Sequence, residues 1–316
     1  MRVVENYLDP DMAYVLGLIV ARGRLLSGSG GNRIVIEFPF KNLEAVGLTR
    51  SYNQEQQLYY SLNQIRERVV EIAETDVSVE ANAHIARLEI KFLRSSIFWR
   101  NVNYLLQGKT SFYNFEVPRA ILEAADIDIQ KEFVRGVADC AGFIRQSNNY
   151  MGGKRRVYVE IANRNWLLPI QLCYLLQQKL GVPVQCIQWG HPNTREPQRK
   201  KSHTWAREHQ IRIFSEAFVS VGFHVEYKDI ILREFAEEDH CIHGNIKPCN
   251  PNPKIRRLRK KPRHPDEGSK RLPELLRGQH FDATWQICLA LGCQQKKEVR
   301  DTETEFDEDE VNLEGE

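Results

Sequence analysis

Residues 15–23 read Val-Leu-Gly-Leu-Ile-Val-Ala-Arg-Gly, and residues 134–142 read Val-Arg-Gly-Val-Ala-Asp-Cys-Ala-Gly. The two glycines of the first stretch recur 119 positions later in the second, which matches Gly17 with Gly136 and Gly23 with Gly142. In both stretches an apolar segment with helical spacing ends at a glycine, which is typical of a helix terminus. Because similarity at a fixed offset indicates an internal repeat, we predict two copies of one unit.

The residues after each stretch show the same order of elements. Short segments alternate polar and apolar residues, as strands do, and longer segments carry apolar residues at helical spacing. The predicted strands include 33–37, 88–92, 156–160 and 210–214, and the predicted helices are 54–74, 95–107, 165–180 and 215–221. Each unit therefore reads α-β-β-α-β-β-α, and the fold class is α+β with two pseudo-symmetric repeats plus a C-terminal extension.

Four regions follow from this pattern and from the composition of the 316 residues. We predict a first repeat over 1–112 and a second repeat over 113–238, each of a usual domain size. A basic extension that contains Cys and His is predicted over 239–297, and an acidic, disordered tail over 298–316. Since both repeats belong to one chain, we expect a monomer.

The overall net charge of +2 hides an uneven distribution of charge along the chain. Residues 298–316 contain ten acidic residues and one arginine, so the rest of the chain carries 43 Lys and Arg against 32 Asp and Glu, a net charge of +11. A basic body argues against a neutral metabolic enzyme and indicates a polyanionic partner. The acidic tail is then a candidate competitor for the same basic surface.

The sequence shows no sign of a membrane or secreted protein. No apolar stretch reaches the ~18 residues that a membrane-spanning helix needs, and the first residues lack the apolar segment of a secretory signal. We therefore expect an intracellular protein, in the cytoplasm, an organelle or a nucleoid, with no membrane partner. The seven cysteines are odd in number and scattered, which favours reduced thiols over a disulfide framework.

Alternation in the predicted strands assigns their two faces. We expect one side of each sheet to pack under the helices, with Ile34, Ile36 and Phe38 in the first repeat and Val157, Val159 and Ile161 in the second. The outward sides then carry Arg33, Val35 and Glu37, and Arg156, Tyr158 and Glu160. Such a face suits the reading of base edges in a DNA groove. The alternative is an ordinary antiparallel sheet with one solvated face, which has the same pattern.

Both glycine-ending stretches resemble the motif of the LAGLIDADG family of homing endonucleases. The first stretch keeps Gly17, Leu18, Ile19, Ala21 and Gly23, and the resemblance covers roughly residues 8 to 230. It implies that the two motif helices pack together at a pseudo-twofold axis, where Gly17, Gly23, Gly136 and Gly142 permit close packing. It also implies two four-stranded sheets that form a saddle over double-stranded DNA, with Mg²⁺ bound by the carboxylate before each motif's last glycine.

The sequence departs from the family at these metal-binding positions. Arg22 and Ala141 stand where the family has its carboxylates, and neither side chain can bind a metal ion. Asp139 lies two residues before Ala141, where relatives bind no metal, and we expect it to be structural. The family's two-metal hydrolysis is therefore not expected. Arg22 has two interpretations, neutralisation of a central DNA phosphate or extension to solvent at the helix end.

The strand faces and the basic loops supply the candidate DNA contacts. Alternate strand residues point the same way, so outer-face residues contact bases while basic loops contact phosphates. The candidate DNA-binding residues are Arg22, Arg24, Arg33, Arg87, Lys91, Arg145, Ser147, Asn149, Lys154, Arg155, Arg156, Tyr158, Gln185, Arg199, Lys200, Lys201, Gln210 and Arg212.

The extension after residue 239 differs in composition from the two repeats. Residues 254–264 hold seven Lys or Arg and one His in eleven positions, which we interpret as an arm that tracks phosphates without sequence preference. Cys241, Cys249, Cys288 and Cys293 are candidate zinc ligands. Their spacings, Cys-x7-Cys and Cys-x4-Cys, lack the tight Cys-x2-Cys of common zinc modules. No other cofactor is expected.

The leading hypothesis is a LAGLIDADG-like protein that binds double-stranded DNA without cutting it, either a degenerate homing endonuclease or a regulator derived from one. The first alternative is an active endonuclease with a non-standard catalytic centre, which would require Mg²⁺. The second alternative is an RNA-binding protein similar to intron maturases.

Overall fold

A computed structural model describes residues 7–43, 54–82, 85–146, 155–192, 207–243 and 254–256. The first repeat begins with helix α1. The four strands of one sheet and three further helices follow it in the predicted order. Its elements are α1 (Pro10–Arg22), β1 (Gly23–Gly28), β2 (Gly31–Pro39), α2 (Phe40–Leu43), α3 (Gln54–Ala73), β3 (Val77–Ala81), β4 (Ile85–Phe92) and α4 (Ile97–Leu105).

The second repeat has the same order apart from the short helices α2 and α5, and it then continues into a long helix. Its elements are α5 (Arg119–Leu122), α6 (Ile127–Ala141), β5 (Gly142–Gln146), β6 (Arg155–Ala162), α7 (Leu167–Tyr174), β7 (Val184–Pro192), β8 (Arg207–Phe214), α8 (Ser215–Phe218) and α9 (Glu226–His243). A π-helical turn, Leu175–Lys179, extends α7. A last strand, β9 (Lys254–Arg256), belongs to the C-terminal extension.

Two antiparallel sheets carry the predicted symmetry. Their strand orders are β1-β2-β4-β3 and β5-β6-β8-β7, and β9 adds a fifth strand to the second sheet by pairing in parallel with β7. The predicted α+β fold with two αββαββα repeats is confirmed. Sequence reasoning missed α9, which runs across the predicted boundary at residue 238, and it missed β9.

Strand register makes the two sheets equivalent position by position. Glu37 of β2 lies opposite Arg87 of β4, and Glu160 of β6 lies opposite Gln210 of β8. Both members of the second pair follow those of the first by 123 residues. By the same count Arg33 of the first sheet corresponds to Arg156 of the second, which provides matched positions for comparing the two faces.

The two motif helices begin and end in the same way. An aspartate precedes each helix and caps its first turn, since Asp9 Oδ1 accepts from the Met12 amide at 2.7 Å and Asp126 Oδ1 accepts from the Asp128 amide at 2.9 Å. Each helix ends at a motif glycine, and strand β1 or β5 starts there at once. This abrupt turn places the last helical residues, Arg22 and Ala141, at the sheet edge.

Helices α1 and α6 cross at backbone contact in the centre of the molecule. A Cβ added to Gly17 would lie 2.2 Å from the Phe133 carbonyl oxygen, and one added to Gly136 would lie 2.2 Å from the Tyr14 carbonyl oxygen. Only glycine permits this approach, which confirms the close packing that we predicted for these two positions. Around the crossing, α1 is almost wholly buried, and one continuous apolar core joins both repeats.

None of the helices in the described residues is both long and apolar enough to cross a membrane.

Candidate nucleic-acid interface

The outer face of the first sheet is an exposed array of charged side chains. Arg24 of β1, Arg33 of β2, and Arg87 and Lys91 of β4 are exposed, while Ile34, Ile36 and Phe38 on the opposite side are buried. The predicted division of this sheet into an apolar face and a solvated face is therefore confirmed. The four cations stand on three neighbouring strands, so together they form a two-dimensional surface.

Carboxylates between these cations form exposed ion pairs. Glu37 Oε1 lies 3.5 Å from Arg87 Nε, and Glu89 Oε1 lies 3.6 Å from Arg33 Nη1 and 3.7 Å from Lys91 Nζ. Pairs of this type usually contribute ~0–1 kcal/mol, because water and salt screen them. These arginines and the lysine can therefore exchange a carboxylate for a different anion at little cost.

The equivalent face of the second sheet is buried. Tyr158 is 1% exposed and Arg156 is 2% exposed, and Glu160 and Gln210 are also buried. The alternation itself is confirmed, since Val157, Val159 and Ile161 belong to the apolar core under the helices and Tyr158 does not. Our expectation of a solvated outer face is wrong for this sheet.

An aromatic and cationic cluster explains part of that difference. The rings of Phe143 and Tyr158 stack with centroids 5.0 Å apart, and the guanidinium groups of Arg145 and Arg212 lie 5.2 and 5.6 Å from the Tyr158 centroid. Arg156 lies 5.4 Å from the centroid of Phe214. At the matching positions the first sheet has Arg24, Val35 and Lys91, so its face lacks these rings.

A second row on this face is held by hydrogen bonds between side chains. Gln210 Nε2 donates to Glu160 Oε1 at 3.3 Å, and Arg212 Nε donates to Gln210 Oε1 at 2.9 Å. The groups that we predicted to read bases in this sheet therefore bind one another in this conformation.

Arg22 is neither at a solvated helix end nor free to reach an external phosphate. It is 8% exposed, and its Nη2 donates to Glu208 Oε1 at 2.6 Å and to the Glu160 carbonyl oxygen at 3.4 Å. Burial lowers the pKa of Arg22, but the adjacent Glu208 carboxylate outweighs burial and raises that pKa overall. The interpretation of Arg22 as a solvent-extended side chain is wrong. The ion pair instead joins the motif helix of the first repeat to β8 of the second.

The residues at the family's metal positions do not fit Mg²⁺. Arg22 brings a positive charge that is already paired with Glu208, and Ala141 is fully buried without any donor atom. Among the described residues, no three His, Cys, Asp or Glu side chains are grouped so that they could hold a metal ion. Arg22 and Ala141 therefore supply no ligand for a metal-dependent step at this centre.

Asp139 anchors the start of helix α9. Its carboxylate is fully buried and accepts from the Tyr14 hydroxyl at 3.0 Å and from the backbone amides of His224 and Val225 at 3.1 and 3.4 Å. Burial raises the pKa of Asp139, and the positive charge of Lys228 opposes that rise. These contacts agree with the structural role that we expected for Asp139.

Lys228 is a buried cation that sequence reasoning missed. Its Nζ donates to the carbonyl oxygens of Asp139 and Gly142 at 2.9 and 2.8 Å, so it satisfies the end of α6 where the motif helix turns into β5. Burial lowers the pKa of Lys228 to about 8, although Asp139 opposes that change. Burial also raises the pKa of the nearby Cys140 thiol to about 12, which makes it an inert thiol.

The other predicted residues are separated by the fold or fall outside the described residues. Arg155 lies in β6 and contacts α9, where Nη2 is 3.5 Å from Glu238 Oε1, so it is not a loop residue. Gln185 lies at a register shift in β7. Cys241 belongs to α9, while Ser147, Asn149, Lys154, Arg199, Lys200, Lys201, Cys249, Cys288 and Cys293 lie outside the described residues. The zinc site remains a prediction.

Glu208 is the functional candidate that sequence reasoning overlooked. It precedes Gln210 and Arg212 at the same period of two, and β8 begins at Arg207, three residues earlier than the predicted strand. Extending the alternation backwards would have placed Glu208 on the outer face beside Gln210. Its pairing with Arg22, 186 positions away, depends on the tertiary fold.

The chain is similar to several solved structures at low sequence identity. No protein-family model matches the sequence, and no curated protein matches it either. Full-length DUF199/WhiA from Thermatoga maritima is similar with a TM-score of 0.39 and 14% identity over 77% of this chain and 62% of the WhiA chain, which is less than two thirds of that protein. The N-terminal LAGLIDADG domain of DUF199/WhiA is similar with a TM-score of 0.34 and 14% identity, over 72% of this chain and 82% of that domain's chain.

The homing endonuclease I-DmoI is also similar, in a structure with DNA and manganese. The TM-score is 0.35 and the identity 16%, over 71% of this chain and 96% of I-DmoI. Since these scores are below 0.5, the fold assignment rests on this chain's own features. Those features are two repeats of matching strand order and two motif helices that cross at Gly17 and Gly136.

Proposed function

Because the described residues form a LAGLIDADG-like pair of repeats, we propose that the chain binds double-stranded DNA through the outer faces of its sheets and does not cleave it at the motif centre. The exposed face of the first sheet is the observation that supports this proposal. Arg24, Arg33, Arg87 and Lys91 are exposed there, and the part of the chain before residue 298 has a net charge of +11.

The spacing of this face matches duplex DNA. Side chains two residues apart on one strand are about 6.8 Å apart, and two base-pair steps along a DNA strand also span about 6.8 Å. Arginine donates two hydrogen bonds to guanine in the major groove, and glutamate accepts from cytosine. Arg33 and Arg87 with the neighbouring Glu37 and Glu89 therefore offer both kinds of contact, and the exposed ion pairs between them are weak.

The pairing of Arg22 with Glu208 supports binding without cleavage. Hydrolysis in this family needs two carboxylates that hold Mg²⁺, and Arg22 and Ala141 replace both of them. The alternative of an active endonuclease needs a different centre, and no described cluster of metal ligands favours one. The alternative of RNA binding would be favoured by exposed rings on the sheet face that stack bases, but Phe143 and Tyr158 of that face stack on each other and are buried.

A selection of bound sequences from random duplex DNA tests binding and cleavage together. The chain is expected to enrich specific duplexes, and the enriched duplexes should stay intact when they are incubated with the protein and Mg²⁺ or Mn²⁺. Specific metal-dependent cleavage would support the endonuclease alternative and overturn the non-cleaving one. Preference for structured RNA over the enriched duplexes, measured by competition, would support the maturase-like alternative.

Removing two arginines from the first sheet is expected to weaken DNA binding and its dependence on salt. Each phosphate contact contributes a slope of about −0.9 to log affinity against log salt. Arg33→Gln together with Arg87→Gln removes two of the cations that neutralise DNA phosphates, so the slope should become shallower by up to about 2. Fluorescence anisotropy at several salt concentrations measures this change. Arg119→Gln is the control, because Arg119 is an exposed arginine on α5 and not on the sheet face. An equal effect of that control would contradict the proposed interface.

A further inference from the structure

The two outer sheet faces differ most clearly at one pair of equivalent arginines. Arg33 and Arg156 occupy the same register position, yet the Arg33 side chain is 50% exposed and Arg156 is 2% exposed as a residue. The rings of Phe143, Tyr158 and Phe214 lie beside Arg145 and Arg156, and no such rings stand at the matching positions of the first sheet. The face of the second sheet around these two arginines is called the arginine–aromatic face below.

Arg156 is buried and Arg145 is half-buried, and neither forms an ion pair with a carboxylate among the described residues. Arg156 Nε and Nη1 and Arg145 Nε are buried and have no hydrogen-bond acceptor. An aromatic ring attracts a guanidinium by only ~0.5–2 kcal/mol, whereas burying an unpaired cation costs several kcal/mol. An anion that hydrogen-bonds to these buried nitrogen atoms would offset this cost. The arginine–aromatic face is suited to an acidic partner.

The C-terminal extension is brought to the edge of this same sheet. Strand β9 pairs in parallel with β7, with Lys254 opposite Cys186 and Arg256 opposite Gln188. Three strand spacings, about 14 Å, separate β9 from β6, which carries Arg156. The 42 residues from Arg256 to Glu298 can span far more than this distance at ~3.3 Å per residue, so the chain is long enough for residues 298–316 to reach the face.

Residues 298–316 have the charge that this face requires. They contain ten carboxylates and one arginine, and a segment on the same chain has an effective concentration in the millimolar range. We propose that residues 298–316 bind the arginine–aromatic face and compete there with DNA. The competition with DNA rests on the proposed function, whereas the binding of the acidic segment to Arg145 and Arg156 does not.

Chemical modification of arginines in the full chain tests whether this segment protects the face. With phenylglyoxal and mass spectrometry, Arg33 is expected to react at low and high salt, whereas Arg156 should react only at high salt or in a chain that ends at Lys297. If Arg156 stays unreactive in the shortened chain, another part of the molecule covers the face and the proposal fails. If Arg156 reacts as readily as Arg33 in the full chain at low salt, the face is open and the proposal also fails.

Binding of a synthetic peptide identifies the occupant without any DNA. A peptide of residues 298–316 should bind the chain that ends at Lys297, and Arg145→Gln or Arg156→Gln should weaken this binding at least tenfold. Arg33→Gln is the matched control and should leave the peptide affinity unchanged. Circular dichroism should show the same fold for all of these variants. A peptide with Asn and Gln at its ten acidic positions should not bind. Equal losses with Arg33→Gln and Arg156→Gln would indicate non-specific charge attraction and overturn the proposal.

Association with duplex DNA separates this proposal from the proposed function. Removal of residues 298–316 is expected to raise the association rate about tenfold at low salt, since the removed charges compete for the same cations. A chain that binds the peptide but no DNA would refute the proposed function and keep the acidic docking site. A chain that binds DNA but not the peptide would refute the acidic docking site and keep the proposed function.

Discussion

Gly17→Ala is expected to destabilise the protein by about 3 kcal/mol or more, a large part of the usual stability of a domain. The added Cβ would lie 2.2 Å from the carbonyl oxygen of Phe133 and 2.9 Å from the amide nitrogen of Val137, both of which are backbone atoms of α6. A flexible side chain could move away, but these atoms move only if the two helices separate. Urea denaturation followed by circular dichroism measures the loss.

Gly136→Ala should have a similar effect, because its Cβ would meet the Tyr14 carbonyl oxygen at 2.2 Å. Gly28→Ala is the control, since no atom lies within 4 Å of a Cβ at that position, and its stability should change by less than about 1 kcal/mol. If Gly17→Ala were as stable as the unmodified chain, this result would contradict the backbone contact between α1 and α6.

Glu208→Ala is expected to destabilise the protein by roughly 3–5 kcal/mol, because it leaves the Arg22 guanidinium buried without its anion. Arg22 Nη2 lies 2.6 Å from Glu208 Oε1, and both side chains are almost fully buried. Replacing both partners, with Arg22→Met and Glu208→Leu, removes the unpaired charge and should recover most of the loss. Thermal and urea unfolding of the single and double variants measure this coupling.

The exposed pair of Arg119, the first residue of α5, and Glu123, the residue after α5, provides the control for that experiment. Both side chains are about half exposed and lie one helical turn apart, so Glu123→Ala should cost less than ~1 kcal/mol. If Glu208→Ala cost no more than Glu123→Ala, Arg22 would have to leave the core easily. Such a result would restore the interpretation that Arg22 reaches a DNA phosphate.

The repeats and the first sheet could be predicted from local patterns. Glycines at a fixed offset marked the motif helices, and period-two alternation identified Ile34, Ile36 and Phe38 as the buried side of β2. The same rule assigned Val157 and Tyr158 to opposite sides of β6 correctly. It could not show that Tyr158 is buried, because stacking on Phe143 joins strands whose register the sequence does not state.

The centre of the candidate site required the tertiary structure. The loss of both family carboxylates was visible in Arg22 and Ala141, but the partner of Arg22 lies in a strand of the other repeat. Helix α9 did have a local signal, since Tyr227, Ile231 and Phe235 recur every four residues and are buried. The resemblance to the family covers the chain only to about residue 230, so it does not predict that helix.

The contact between α1 and α6 is the same in both directions, since each glycine touches the residue three positions before the other glycine. An interface of this kind is isologous, the kind that joins identical subunits around a twofold axis. One such repeat could therefore pair with an identical copy of itself, as a dimer that dissociates on dilution. In this chain the connection between the repeats removes that dependence on concentration, and Arg22 and Glu208 could diverge on the two halves without breaking the symmetry of the backbone.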